Sequence, residues 1–196
     1  MSDRPKPDPA ARPPMAGSGS SAHVGTVLLI GYGNPGRLDD GLGPALAAAI
    51  EALALPGVSV EADYQLVVEH AELAARHEVV IFADAAVAGP EPFAFAPLEP
   101  APPGLEFSSH SLAPAAVLSL ARDLFGARPA GYTLAVRGYA FDAFGERLTP
   151  AARRNLAAAV EYLQAKLRRG FPRLGKSAAI SFQGLENQSS AEPRGP

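Results

Sequence analysis

Thr26 to Gly43 reads TVLLIGYGNPGRLDDGLG, and the change of character along this stretch decides the fold. Its first seven residues form a continuous apolar run ended by glycine, the pattern of a strand buried on both faces of a sheet. Pro44 is tolerated only in the first turn of a helix, so the helical run that follows begins near Gly41 and carries Leu42, Leu46, Ile50 and Leu53 on one face. A buried strand, a glycine-rich turn and an amphipathic helix together open a sheet with crossover helices.

The same alternation continues outward. Val58–Ala62 predicts a second strand, Val67–Arg76 a short helix and Val79–Ala83 a third strand of the buried type. Phe93 and Phe95 alternate with alanines between prolines, which predicts an edge strand. Ser111–Leu124 predicts a helix with Val117, Leu120, Ala121 and Leu124 along one face, and Tyr132–Val136 a further strand. The last helix takes Thr149 as N-cap and Pro150 as its first residue, with Leu156, Val160, Leu163 and Leu167 as its buried seam. The class is α/β. Residues 26–170 are expected to form its one domain. Met1–Gly25, rich in Pro, Gly and Ser, and the stretch 171–196, without periodicity, are expected to be tails, with Ala178–Phe182 able to add a short strand.

Composition narrows the chemistry. The 196 residues include no cysteine, so disulfides, thiolate zinc sites and a cysteine nucleophile are excluded, and any metal must be held by His and carboxylate. The 19 glycines and 20 prolines stay below the share of about 25–30% that marks low complexity without a core. A net charge of -3 without Lys/Arg runs provides no electrostatic footprint for nucleic acid or an anionic membrane. With no secretory h-region and no apolar run near the roughly 20 residues of a membrane span, a cytoplasmic protein is expected.

Three segments carry candidate chemistry. Gly31 to Gly36 satisfies G-x-G-x-x-G, which invites a dinucleotide reading, but Pro35 removes an amide where the helix should start and Asp39 and Asp40 would repel phosphate. The ribose-binding acid expected about 20 residues on is also misplaced, Asp63 standing too far along. Asp39 and Asp40 are either capping carboxylates or site residues. Asp84, at the end of the strand VIFADA, either caps the next turn or faces the crevice beyond the carboxyl ends of strands one and three. His110, in FSSHSL, precedes an apolar helix, whereas His70 and His77 read as a solvated face beside Glu69, Glu72 and Arg76. Two carboxylates and one imidazole make an open O,O,N set able to hold a divalent ion. Such an ion would polarise a carbonyl or activate a water, with Asp39 nearby as a base.

Taken together, GYGNPGRLDDGLG, the strand end IFADA and the helix start SSHSL resemble the nickel-iron hydrogenase maturation endopeptidases, which remove a C-terminal extension from the hydrogenase large subunit. The three motifs lie in register over roughly residues 26–168. Asp63-Tyr64-Gln65-Leu66 followed by Glu69, Ser109–Leu112 and Arg137–Tyr139 are similar to the branch associated with bidirectional, NAD(P)-linked cytoplasmic hydrogenases. The resemblance implies a three-layer, doubly wound sandwich with a mostly parallel sheet and helices on both faces. It implies Asp40, Asp84 and His110 as metal ligands, the first being Glu in some members and Asp in others. Asp39 and Asp40 are the expected catalytic pair, and Asn34, Gln65, Glu69 and Arg137 the expected substrate contacts. The nickel is supplied by the precursor, so no organic cofactor is expected. The competing readings are a small dinucleotide-binding oxidoreductase and a non-catalytic nickel-checking chaperone.

Overall fold

The computed structural model describes residues 26–102 and 112–171. The apolar run after Thr26 becomes strand β1 (Val27–Tyr32), and a single turn of 3-10 helix at Leu38–Gly41 leads into helix α1 (Leu42–Glu51). Strand β2 (Val58–Asp63), helix α2 (Glu69–Ala75) and strand β3 (Val79–Ala86) follow. Strand β4 (Phe93–Leu98), helix α3 (Pro114–Phe125), strand β5 (Ala130–Arg137) and helix α4 (Pro150–Arg169) complete the order.

The strands lie side by side as β2-β1-β3-β5-β4. All pairs are parallel except β4 with β5, so the prolines flanking and within β4 fall on an edge strand, where a missing N–H costs no ladder bond. One core cluster joins Val27, Leu29 and Ile81 to Leu46 and Ile50 of α1 and Leu163 of α4. The other joins Leu28, Ile30 and Phe82 to Ala71 of α2 and Val117 of α3. The sheet is thus covered on both faces, which is the expected three-layer sandwich.

The direction of travel reverses at β1, which has β2 on one side and β3 on the other. The carboxyl ends of β1 and β3 therefore border the switch point, where open α/β sheets bind ligands.

Several expectations shift. Leu53 lies past the end of α1 and is exposed, and Leu124 points outward from α3. That helix starts at Pro114 rather than Ser111, because proline at the first helical position sets the entry. His70 is not solvated. It is buried, and its Nδ1 accepts from the Val67 amide at 3.0 Å, serving the start of α2. Thr149 caps α4 as expected, its Oγ1 accepting from the Ala152 amide at 3.2 Å. The expected tails, apart from Phe171 at the edge of the second, lie outside the described residues, as does the strand expected at 178–182.

Candidate functional site

The glycines after β1 are used for close packing of the protein on itself. A Cβ on Gly43 would stand 2.2 Å from the Tyr32 carbonyl oxygen and 2.6 Å from that of Ala83, so only glycine lets α1 start directly over the ends of β1 and β3. Gly33 has φ +133, and a Cβ there would lie 2.2 Å from the Asp40 carbonyl oxygen. The Cβ side of this glycine is taken up by the loop's own backbone. Close packing within the loop therefore accounts for Gly33 without a phosphate.

Within this loop the Asn34 amide donates to Asp40 Oδ2 at 3.0 Å, and the Asn34 side-chain oxygen accepts from the Gly36 amide at 2.8 Å. Asn34 thus shapes the turn and holds the Asp40 carboxylate from behind. Asp84 stands on the adjacent strand, two positions beyond Phe82 and so on the same face of the sheet. Its Oδ1 accepts from the Ala85 amide at 2.7 Å, and the Tyr32 phenol lies beside the same carboxylate. Burial raises the Asp84 pKa, and the negative charge of Asp40 raises it further, outweighing the Ala85 amide and the Tyr32 phenol, which lower it. Burial and then Asp84 raise the Tyr32 phenol in turn.

The ion pairs among the described residues join Arg76 to Glu72 and Arg122 to Asp123, so neither Asp40 nor Asp84 has a basic partner there. Two carboxylates that repel each other at a half-buried strand end form a place where a cation is favoured. Among the described residues no three such side chains gather into a metal cage. His110, the third expected ligand, lies outside the described residues. Leu112, two residues beyond it, donates its amide to the Leu66 carbonyl at 3.3 Å.

Asp39 faces the other way. It is 0% exposed, and its carboxylate accepts from the amides of Tyr139, Ala140 and Thr149 and from the Thr149 hydroxyl. Burial alone would raise its pKa, but these donors together outweigh burial and hold it below the usual value. The geometry thus turns Asp39 away from the base role expected of it. A carboxylate with its lone pairs occupied by four donors is a weak proton acceptor.

The remaining expected contacts spread along the same edge. Gln65 and Glu69 are exposed, after β2 and at the start of α2. Arg137, at the end of β5, donates from Nη1 to the carbonyls of Ala86, Val87 and Gly138 and lies 5.0 Å over the Tyr139 ring. It fastens the ends of β3 and β5 together. Asn155 carries no signal in the sequence. It is buried in α4, and its Nδ2 donates to the Arg137 carbonyl and the Tyr139 hydroxyl, both at 2.9 Å. In the sequence Tyr32 is legible only as the end of a strand, although its place two residues before the turn's Asn34 is a usable signal. A cavity of about 360 Å³ lined by Gly33, Pro35, Pro44, Ala62, Asp63 and Tyr64 opens beside the loop.

No protein-family model matches the chain, and no curated protein matches it. Solved structures do. The NiFe hydrogenase maturation protease HycI from Thermococcus kodakarensis KOD1 superposes with a TM-score of 0.57 at 20% identity, over 74% of this chain and 95% of that one. The hydrogenase maturating endopeptidase HybD from E. coli gives 0.55 at 24%, over 73% and 92%. A hydrogenase 2 maturation peptidase from a Thaumarchaeota archaeon gives 0.53 at 20%, over 71% and 96%. The chain shares the fold of these proteins across nearly their whole length.

Proposed function

We propose that this protein is a cytoplasmic endopeptidase that removes the C-terminal extension of a nickel-iron hydrogenase large-subunit precursor once nickel has been inserted. The observation that carries this reading is the pair Asp40 and Asp84, brought together without a basic partner among the described residues at the switch point of a fold shared with hydrogenase maturation proteases. Asp40, Asp84 and His110 engage the nickel that the precursor presents, which makes the metal part of the substrate and a test of its maturity. Carboxylate and imidazole ligands without thiolate leave open positions and bind free nickel modestly, so the ion already seated in the precursor completes the coordination.

The chain's own residues divide the remaining work. Asn34 holds the Asp40 carboxylate through its amide, Ala85 holds that of Asp84, and Arg137 keeps the ends of β3 and β5 together. The cleft bordered by Pro35, Pro44 and Tyr64 offers an apolar seat for the peptide beside the loop, with Gln65 and Glu69 at the same edge. With Asp39 saturated, Asp40 is the carboxylate of the pair positioned to accept a proton from an attacking water.

The test incubates purified protein with nickel-loaded and nickel-free precursor, after the enzyme has been treated with chelator and freed of it. Cleavage of the loaded form alone is the expected result. Efficient cleavage of the nickel-free form would rule out the maturity test. Binding of the loaded form with its extension left intact would mark a chaperone instead of a protease.

A further inference from the structure

We infer that Asp39 is a positioning residue, whose buried carboxylate clamps the loop after β1 to the loop after β5 and thereby aims Asp40 into the crevice. This rests on the reading of Asp40 as a site carboxylate. The bonds are specific and span the chain. Asp39 Oδ1 accepts from the Thr149 amide at 2.7 Å, while Oδ2 accepts from Tyr139 at 2.8 Å, Ala140 at 3.1 Å and the Thr149 hydroxyl at 2.9 Å. The Asp39 amide returns a bond to the Ala140 carbonyl at 3.0 Å. Beside it, Leu38 donates to the Gly145 carbonyl at 2.7 Å, and Gly145 donates to the Gly36 carbonyl at 2.9 Å. The two loops are laced together around one carboxylate.

Two features show what the lacing achieves. Leu38 has φ +50, an unfavourable backbone conformation for a leucine, which persists only where surrounding bonds over-determine it. That residue begins the 3-10 turn carrying both aspartates. In such a turn successive side chains diverge by about 120°, so seating Asp39 inward against Tyr139, Ala140 and Thr149 directs Asp40 to the other side, where its Oδ2 accepts from the Asn34 amide. Thr149 extends the clamp, since the hydroxyl that donates to Asp39 also caps α4. The direction of Asp40 is thereby tied to the start of the longest helix and to the loop bearing the exposed Tyr139 and Phe144.

The experiment compares Asp39→Asn, Thr149→Val and Thr149→Ser with the wild type, reading amide hydrogen exchange residue by residue alongside precursor cleavage. The Asn34 amide is the reporter, because its partner is the Asp40 carboxylate. In Asp39→Asn its exchange relative to the core amides of Ile30 and Ile81 should rise about tenfold or more, the factor that accompanies loss of one hydrogen bond to a charged group. Thr149→Val, a milder change that keeps the amide donor, should show a smaller rise with a parallel loss of cleavage. Thr149→Ser should restore both. Retained Asn34 protection in Asp39→Asn with cleavage lost would overturn the inference in favour of Asp39 as a base. An equal rise at Asn34 and the core amides in both destabilised variants would overturn it in favour of a purely structural role. Should the wild type fail to cut any precursor, the functional reading falls while the exchange pattern still decides the part played by Asp39.

Discussion

Asp39 and Asp40 are adjacent in the chain and opposite in circumstance, and the difference shows how environment assigns the role of a carboxylate. Asp39 is satisfied by donors, whereas Asp84 is half-buried with a like charge near it. Their effects on stability therefore have opposite signs. Asp39, lowered in the folded state, contributes stability that is present above the ordinary value of 3.8 and is lost as pH falls through the folded value. The denaturant midpoint of Asp39→Asn should accordingly vary less with pH below that value than the midpoint of the wild type. Asp84, raised in the folded state, favours folding when protonated, and that contribution is lost as pH rises from the ordinary value of 3.8 through the folded value. Asp84→Asn should leave the thermal midpoint at neutral pH unchanged or higher while abolishing processing, the trade expected of a charge kept for function. Asp40→Ala, Asp84→Ala and His110→Ala should each reduce cleavage of loaded precursor by more than about 100-fold, the upper end of what loss of an outer partner of a metal ligand costs. Cleavage near the wild-type rate in all three would show that the ligands are elsewhere.

Helix α1 is placed by the glycines that let it touch the strands. Gly43 meets the carbonyls of Tyr32 and Ala83, and a Cβ on Gly31 would lie 2.2 Å from the Gly43 carbonyl oxygen. Gly43→Ala should lower stability by about 1–3 kcal/mol, the range for overpacking, because the clash is with backbone that cannot rotate away. Denaturant unfolding measures this directly. A change within about 0.5 kcal/mol, usual for surface substitutions, would mean that the helix has room to withdraw. The element boundaries have equally local causes. The apolar periodicity of α3 continues through Leu124, but Gly126 at φ +67 ends the helix, and Leu124 falls on the face turned to solvent.

For the molecule as a whole, the site is an edge feature of a layered core that is built elsewhere. The Leu163 side chain of α4 is fully buried in the cluster shared by β1, β3 and α1. Leu163→Ala should cost about 2–5 kcal/mol, with cleavage per folded molecule retained. The converse behaviour of Asp84→Asn completes the separation of scaffold from chemistry. A Leu163→Ala variant that is stable yet inactive would show that the site depends on the far end of α4.

Hydrophobic periodicity, proline placement and the Thr149 cap were enough to identify the strands and helices and to call the α/β class, because these signals arise within a few residues of one another. The order of the elements also sets the Asp39/Asp40 loop and Asp84 on either side of one crevice, because strand ends that flank a switch point can be recognised from that order, but it does not say which of the two aspartates faces Asp84. The roles of Asp39, Asn155 and His70 were not legible in this way. Asp39 depends on donors more than 100 residues downstream, near Thr149 and Ala140. A glycine motif reads the same whether its space receives a phosphate or the protein's own carbonyls, and only packing made it the latter at Gly33. Local propensity decides which element forms, whereas the partner of a buried polar group is chosen by chain crossings that close only when the whole sheet is assembled.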